Sequence, residues 1–220
     1  MSVSDCELKA RSRPNVWATT PAKLMAGDQQ CQFAAYLKAK FRVPKRPSDF
    51  DLATWTAQHN ALVQAKAEAL SAEGYEVFLE GQNAFQLVGK TGAVLAGRPD
   101  IVAVKGDEAR VIDCKTGQPR AGDHYQVLLY MYVLPKSHEA CKGKAVSGEV
   151  MYTNGVVDIP PEAVDEAFVA QFGATMQRIL ADEPPLAAPS YHECRFCDIG
   201  KAHCPYRVDT PPPEVKSDLF

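Results

Sequence analysis

The stretch Val111–Gly117 constrains this chain most, because it places an acid and a base on one face of an apolar strand. It reads Val111-Ile112-Asp113-Cys114-Lys115-Thr116-Gly117. Side chains of an extended strand alternate between its two faces, so Asp113 and Lys115 point the same way and Cys114 points into the opposite layer. We therefore expect a largely buried strand that presents Asp113 and Lys115 together.

A second carboxylate, Asp100, stands at the head of the preceding apolar run. The segment Lys105–Glu108 predicts a hairpin turn between the two runs, and antiparallel pairing would then bring Asp100 and Asp113 together. Two carboxylates at close range repel each other unless a divalent cation lies between them, and oxygen ligands suit Mg²⁺ or Mn²⁺. The pattern predicts a metal site with Lys115 beside the metal-bound water or a bound phosphate.

Gln126 and Tyr130 are separated by four residues in the helix predicted over residues 120–134. Residues i and i+4 lie on one face of a helix. This face would look back at the ends of the two strands, so both side chains are candidates for the same site.

Composition is typical of one intracellular domain. The chain has 220 residues, of which 46% are hydrophobic, and no apolar run reaches membrane-spanning length or forms a signal-peptide core. Seven cysteines, an odd number, argue against a secreted disulfide framework. We expect a cytoplasmic protein with a flexible arm at residues 1–16, one domain at 17–208 and a flexible proline-rich tail at 209–220.

Five basic residues follow one another near the N-terminal end without an intervening acid, although the net charge of the chain is -3. A run of this kind predicts a nucleic-acid-binding edge that contacts phosphates, and a solvated helix end explains it equally well. The residues are Lys38, Lys40, Arg42, Lys45 and Arg46.

The order of predicted elements indicates an α/β fold, with helices flanking a mixed sheet. Turn signals, capping residues and apolar periodicity mark the boundaries. Predicted helices begin at Thr20, at Asp28 (to about Phe41), at Ser48 or Asp49 (to about Ala72), at Arg120 (to Leu134) and at Pro161 (to Asp182). Predicted strands cover Tyr75–Glu80, Phe85–Lys90, Ala96–Val104, Ala109–Lys115, Gly148–Thr153 and Val156–Ile159.

The third predicted helix has an apolar stripe that includes Leu52, Trp55 and Val63. His59 falls in register with this stripe, so we expect it to face inward. An inward histidine is usually a satisfied core residue, and a ligand role is the alternative.

Cys194, Cys197 and Cys204 form a second group of candidate ligands. Thiolates at this spacing select zinc or an iron-sulfur cluster. The fourth ligand is either His192 or His203, in a zinc site, or Cys31, which lies in the first turn of a predicted helix. Cys6, Cys114 and Cys141 have no partners at ligand spacing and are expected to be free thiols.

Three segments together resemble the PD-(D/E)XK nuclease superfamily, in the branch of the RecB nuclease domain and the fourth family of CRISPR-associated proteins. They are Gly97-Arg98-Pro99-Asp100, Asp113-Cys114-Lys115-Thr116-Gly117 and Gln126-x-x-x-Tyr130. That branch often has tyrosine where this chain has Cys114. The resemblance implies a restriction-endonuclease-like core and a metal-dependent DNA nuclease, acting on single strands or free ends.

The resemblance also implies a role for each candidate residue. His59, Asp100, Asp113 and the backbone carbonyl of Cys114 would hold Mg²⁺ or Mn²⁺, and Lys115, Gln126 and Tyr130 would complete the catalytic site. Cys31, Cys194, Cys197 and Cys204 would hold a structural 4Fe-4S cluster that joins the N- and C-terminal segments. The pathways of such nucleases are DNA repair or recombination, phage replication and CRISPR adaptation.

Two other classes of function fit parts of the sequence. The first is a catalytically weak nucleic-acid-binding module, and the second is a zinc-stabilised interaction protein without nuclease activity. Retention of both carboxylates and of Lys115 favours the enzyme over the binding module. The end of the tail, Ser217–Phe220, is similar to a motif that docks bacterial proteins onto the sliding clamp, and a tail without a partner is the alternative.

Overall fold

The computed structural model describes residues 8–213. The strands are β1 (Lys9–Ala10), β2 (Asn15–Trp17), β3 (Phe41–Arg42), β4 (Glu76–Leu79), β5 (Phe85–Val88), β6 (Val94–Gly97), β7 (Ile101–Lys105), β8 (Glu108–Lys115), β9 (Val146–Tyr152) and β10 (Gly155–Ile159). The α-helices are α1 (Thr19–Ala26), α2 (Gln32–Lys40), α3 (Leu52–Ala72), α4 (Ala121–Ser137), α5 (Glu166–Ile179) and α6 (Tyr191–Cys194). In the part of the chain described, no helix is long and apolar enough to cross a membrane.

A five-stranded sheet in the order β10-β9-β8-β7-β4 forms the centre of the molecule. The pair β8–β9 is parallel and the other pairs are antiparallel, so the sheet is mixed as the sequence predicts. The predicted hairpin joins β7 to β8, with Ile101 opposite Ile112. This register places Asp100 across from Asp113 at one end of the hairpin.

Helices cover both faces of this sheet. Helix α4 packs on one face, where Val111 and Val127 belong to the main core. Helix α3 packs on the other face through Val63, which shares a second core with Cys114. The predicted alternation along β8 is therefore confirmed, because Cys114 lies in the α3 layer while its neighbours in the strand face α4.

The single strand predicted over Ala96–Val104 is two strands that belong to different sheets. Strand β6 pairs with β2 and β5 in a three-stranded sheet, and β7 enters the five-stranded sheet. Pro99 lies in the break, and its lack of an N–H prevents it from continuing a hydrogen-bonded ladder. The break leaves Asp100 just ahead of β7, at the sheet end where the candidate site forms.

The arm predicted at residues 1–16 is paired with other strands in the part that the structure describes. Strand β1 pairs with β3, and Asn15 pairs in parallel with Val94. Val16 is only 2% exposed, so burial of one apolar side chain and strand pairing hold this segment. Cys6 and the tail segment Ser217–Phe220 lie outside the described residues, and docking onto a sliding clamp stays a prediction.

Asp28 caps a different helix from the one predicted. Helix α2 begins at Gln32, and the Asp28 carboxylate accepts a hydrogen bond of 2.8 Å from the backbone N–H of Gly122. It therefore caps α4, which lies far away in sequence.

Three further helix boundaries differ from the prediction. Asp51 caps α3 through a hydrogen bond from Thr54 N–H, and Asp165 caps α5 in the same way through Phe168 N–H. Helix α4 continues past Pro135 to Ser137. A proline close to the end of a helix removes one hydrogen bond without ending the helix, and here the N–H of His138, three residues after Pro135, still bonds to the Leu134 carbonyl.

The predicted stripe of α3 is correct only in the later turns of the helix. Val63 and His59 are buried, but Leu52 is 63% exposed and Trp55 is 38% exposed. The first two turns extend beyond the sheet, so their apolar side chains border a cavity instead of the core.

Candidate functional site

A cavity of about 830 Å³ opens where β7 begins and β8 ends. Strands of the central sheet supply its floor, α3 supplies one side and α4 supplies the other. The candidate residues that line it are His59, Asp100, Asp113, Cys114, Lys115, Gln126 and Tyr130. The structure thus brings together all seven residues that were predicted for the metal and catalytic site.

Asp100 is held in place by the strand opposite it. Its Oδ2 accepts a hydrogen bond of 2.7 Å from the backbone N–H of Cys114 and lies 3.3 Å from Nε2 of His59. The contact places the Cys114 backbone beside Asp100, although the Cys114 thiol is buried in the α3 layer. Burial raises the pKa of that thiol to about 12, so it stays protonated.

Asp113 is buried, with only 2% of its surface exposed. Its carboxylate forms an ion pair with Lys115 and accepts a hydrogen bond of 3.0 Å from Nε2 of Gln126. Burial raises the pKa of Asp113 to about 6, and the nearby charge of Asp100 adds to this, although Lys115 acts in the opposite direction. An acid with this pKa is ionised at neutral pH but close to its titration range.

Lys115 is a cation at neutral pH. Burial alone would lower its pKa, but the Asp113 carboxylate outweighs burial and raises the pKa above the ordinary value. A lysine with a raised pKa cannot accept a proton as a general base. Lys115 is therefore suited to bind and stabilise negative charge at the mouth of the cavity.

Gln126 connects the residues of the site. Its Nε2 donates to Tyr130 Oη at 2.9 Å as well as to Asp113, and its Oε1 accepts from Lys115 Nζ at 3.3 Å. Tyr130 is 1% exposed, and burial raises its pKa, so its phenol stays protonated. Gln126 and Tyr130, both in α4, thus hold the side chains of Asp113 and Lys115 in position.

One residue of the site, Glu80, was missed by the sequence analysis. Ligand atoms of His59, Glu80 and Asp100 all lie within 4.8 Å of one another. Strand β4 ends at Leu79, which pairs with Ile101, and the Glu80 N–H donates to the Asp100 carbonyl at 3.0 Å. No sequence motif around Glu80 marks it as a ligand. It lies beside Asp100 only because β4 pairs with β7.

The group of three offers one nitrogen and two carboxylates, the donor set that divalent cations with oxygen preference accept. Asp113 and the Cys114 backbone lie on the adjoining strand. The hydrogen bond to Asp100 raises the pKa of His59 and outweighs the effect of burial. His59, Glu80 and Asp100 would therefore be the residues that hold a divalent cation here.

The four candidate cluster cysteines come together from both ends of the described chain. Cys31 precedes α2, and its backbone N–H donates to Glu193 Oε1 at 2.6 Å, next to Cys194 in α6. Burial raises the pKa of Cys204, and the thiols of Cys31, Cys197 and Cys194 raise it further. Cys31, Cys197 and Cys204 pack against the same small core, which includes Leu37 and Ile199, and each of the four candidate cysteines is half-buried.

Contacts other than cysteines also join these two segments. Lys45 pairs with Ile199 in an isolated bridge, and the Arg46 N–H donates to the Asp198 carbonyl at 2.8 Å. Ile199 is also buried against Phe33 and Leu37 of α2, and within its own segment its carbonyl accepts a hydrogen bond of 2.7 Å from the buried guanidinium of Arg207. The cysteine loop thus packs on α2 and on the segment that follows it.

The two histidines of the zinc alternative differ in their surroundings. His192 is exposed, whereas Nδ1 of His203 is buried and makes no hydrogen bond within the described residues. Of the two histidines, His203 is therefore the better candidate for the fourth ligand of a zinc site, in place of Cys31.

The five basic residues of the predicted nucleic-acid edge have different surroundings. Lys38 and Lys45 line a second cavity, of about 350 Å³. Lys40 turns away, because its ammonium contacts the Ala181 carbonyl and lies 4.7 Å from the Tyr36 ring centre. The remaining two, Arg42 and Arg46, are exposed.

Comparisons with known proteins bear on the fold and the family. The crystal structure of SSO0001 is similar to this fold, with a TM-score of 0.50 and 16% sequence identity over 90% of this chain and 89% of that chain. A search of curated proteins found no significant match. The family profile described as the PD-(D/E)XK nuclease superfamily matches residues 19–207.

That match covers most of the sequence and includes both strands of the carboxylate hairpin and the helix that carries Gln126. On this ground the chain belongs to the PD-(D/E)XK nuclease superfamily.

Proposed function

We propose that the protein is a Mg²⁺- or Mn²⁺-dependent deoxyribonuclease of the RecB-like branch, which hydrolyses phosphodiester bonds in single-stranded DNA or at free DNA ends. Membership of the superfamily supports a metal-dependent nuclease. The observation that carries the rest is the meeting of Asp100, Asp113 and Lys115 at one end of an open cavity. Its volume of about 830 Å³ is large enough for a nucleotide.

The residues that would hold the divalent ion are His59, Glu80, Asp100 and Asp113, with the Cys114 carbonyl. Their nitrogen and oxygen donors fit Mg²⁺ or Mn²⁺. When bound, such an ion polarises a phosphate and lowers the pKa of a coordinated water.

The chain's own groups account for binding and orientation of the phosphate. The Lys115 ammonium is placed to bind a non-bridging phosphate oxygen and to stabilise the negative charge that develops there. Gln126 keeps this ammonium beside Asp113, because one side-chain amide bonds to both. Tyr130 in turn holds the amide of Gln126 in one orientation.

For the second site, we favour a structural 4Fe-4S cluster on Cys31, Cys194, Cys197 and Cys204. Four thiol donors that join two distant segments suit such a cluster. The buried Nδ1 of His203 supports the zinc alternative, in which His203 replaces Cys31. A visible absorption spectrum of protein purified without oxygen distinguishes them, because a zinc site is colourless.

The test of catalysis uses Lys115→Ala and Asp113→Ala with Mn²⁺ and labelled DNA. We expect each variant to lose cleavage by about a hundredfold or more, the size of effect seen when a group that stabilises the transition state is removed. Lys142→Ala, at an exposed site near the far end of the hairpin, is the matched control. Cleavage at the wild-type rate by Lys115→Ala would show that this is not the active site.

The same assay defines the mode of cleavage when linear single strands, circular single strands and duplexes are compared. Degradation of linear but not circular single strands is the expected result for an exonuclease. A separate calorimetric titration with Mn²⁺ tests Glu80→Ala, which should weaken binding because it removes one of the three converging ligands. Glu76→Ala, at the exposed start of the preceding strand β4, should leave binding unchanged.

A further inference from the structure

The two cavities of the site share one side chain, that of Trp17. Trp17 ends β2, is 48% exposed, and lines both the catalytic cavity and the smaller cavity of about 350 Å³. Trp17 therefore lies where the two cavities adjoin.

The smaller cavity is basic. Arg11, Lys38 and Lys45 line it together with one acid, Asp198, which forms an ion pair with Lys38. Nε of Arg11 donates to the carbonyls of Lys38, at 3.2 Å, and of Phe41, at 3.1 Å. A guanidinium has two further nitrogen donors, so Arg11 is fixed by one edge and can bind an anion with the other.

A second exposed indole, Trp55, lies in the catalytic cavity. Its ring stacks on His59 with centres 5.0 Å apart and an angle of 21° between the planes. The chain contains two tryptophans, and both line the catalytic cavity. Burial does not account for this placement, because both rings are more than one third exposed.

Exposed aromatic rings beside a basic groove are the arrangement by which proteins hold unpaired nucleic-acid strands. Bases of a single strand can stack on an aromatic ring, whereas bases inside a duplex already stack on one another. Lysine and arginine contacts to the phosphates add affinity that depends on salt.

We propose that Trp17 stacks on a base of single-stranded DNA adjacent to the cleaved phosphate, while Arg11, Lys38 and Lys45 bind the phosphates of the same strand. This inference rests on the nuclease function proposed above and adds the binding site of the strand outside the catalytic centre. Asp198 and Ile199, between Cys197 and Cys204, line the same groove. The cysteine site thus supports one wall of the DNA-binding surface.

The two tryptophans make the test direct. In Trp55→Phe, Trp17 is the one tryptophan left, so its fluorescence reports on its own surroundings. The protein is titrated without divalent metal, which prevents cleavage, with oligo(dT), with an abasic strand of equal length and charge, and with duplex DNA. We expect oligo(dT) to quench the emission of Trp17 and the abasic strand and duplex to quench it much less.

Affinity measurements separate stacking from charge. Because a base that stacks on an aromatic ring adds affinity, oligo(dT) should bind at least about tenfold more tightly than the abasic strand, which corresponds to about 1.4 kcal/mol. Trp17→Ala should remove this difference in affinity. Trp17→Phe keeps an aromatic ring and should retain part of the difference, and it also serves as the test if the alanine variant folds poorly.

The lysines should behave differently from the tryptophan. Lys38→Gln and Lys45→Gln should each weaken the binding of oligo(dT) and of the abasic strand to a similar extent. The slope of the logarithm of the binding constant against the logarithm of the salt concentration should fall in magnitude by about 0.7 for each phosphate contact that is lost. The matched control, Lys142→Gln, should leave the affinity for both strands unchanged.

Three results would overturn the inference: unchanged Trp17 emission with oligo(dT), equal quenching by duplex DNA, or a preference for oligo(dT) that persists in Trp17→Ala. None of these outcomes depends on catalysis. If wild-type protein binds oligo(dT) as described but does not cleave it with Mn²⁺, the groove stands and the proposed nuclease function fails. If the wild type cleaves DNA and Trp17→Ala binds oligo(dT) as tightly as the wild type, the nuclease function stands and the proposed stacking on Trp17 fails.

Discussion

At the scale of single residues, burial and charge act on Asp113 and Lys115 with opposite results. Both side chains lie at the buried end of β8, and they form an ion pair. Burial favours the neutral form of each, and it prevails for Asp113, whereas the ion pair prevails for Lys115. The metal-free site is therefore a lysine cation beside an aspartate that is held close to its titration range.

This imbalance predicts a specific dependence of folding stability on pH. The pKa of Asp113 is raised from 3.8 to about 6, so between these pH values the folded state binds more protons than the unfolded state. The free energy of unfolding of the metal-free protein should therefore fall as pH rises from about 4 to 7, relative to Asp113→Asn. The expected change is on the order of 1–3 kcal/mol.

Urea denaturation of both proteins at pH 4, 5.5 and 7 measures this difference. Addition of Mn²⁺ at pH 7 should restore the stability of the wild type and not of Asp113→Asn, because the ionised carboxylate is the form that binds a metal. A difference between the two proteins that stays constant with pH would contradict a raised pKa at Asp113.

At the scale of elements, the close contact of α4 with the sheet determines where Gln126 and Tyr130 stand. Gly148 in β9 faces α4, and a Cβ atom there would lie 2.6 Å from Met131 Sδ and closer still to Val127. At Gly97 in β6, a Cβ atom would lie 3.1 Å from Cε1 of Tyr130 in α4, and closer still to the ring of Phe85 in the neighbouring strand. These glycines allow the helix and the strands to approach until the amide of Gln126 reaches Asp113.

We therefore expect Gly148→Ala to lower the free energy of unfolding by about 1–3 kcal/mol, the usual cost of overpacking a core. Cleavage activity should fall as well, because α4 carries Gln126. Gly173→Ala in α5 is the matched control, since nothing lies within 4 Å of a Cβ atom there. In that helix the substitution should stabilise by roughly 0.5–1 kcal/mol.

Thermal or chemical denaturation and a Mn²⁺-dependent cleavage assay check both variants. A Gly148→Ala protein as stable as the wild type would mean that α4 can move away from the sheet at little cost. The glycine would then not be what sets the distance between them.

At the scale of the whole molecule, the four cysteines of the proposed cluster come from segments that are far apart in sequence. Cys31 belongs to the first third of the chain, and Cys194 lies close to its other end. A link between distant segments restricts the unfolded chain, so metal binding at such a site contributes to folding stability. The pairing of Lys45 with Ile199 shows that the two segments also meet through backbone contacts.

Replacement of Cys197 by serine should remove visible absorption and lower the melting temperature, because one of four proposed cluster ligands is lost. Cys141→Ala is the control for colour, since Cys141 is buried in the main core and lies outside the ligand group. A visible absorption spectrum reports on the cluster, and iron analysis completes the measurement. Retention of full colour in Cys31→Ser, together with loss of bound metal in His203→Ala, would show that Cys31 is not a ligand. Wild-type protein that binds zinc and is colourless would establish the zinc alternative.

The sequence by itself determined the local parts of this protein. Alternation along one strand gave the common face of Asp113 and Lys115, and the turn before β8 gave the hairpin that aligns Asp100 with Asp113. Helical spacing gave the shared face of Gln126 and Tyr130 and the inward side of His59. Each of these relations joins residues within one element or one hairpin, so periodicity and turn chemistry are sufficient to predict it.

Only the tertiary structure decided which distant elements meet at the site. Glu80 reaches His59 and Asp100 because β4 pairs with β7, and Trp17 reaches the cavity because β2 pairs with β6. Asp28 caps α4 instead of the helix that follows it. Strand pairing and caps between distant segments depend on burial summed over the whole core, and no local pattern at Glu80, Trp17 or Asp28 carries that information.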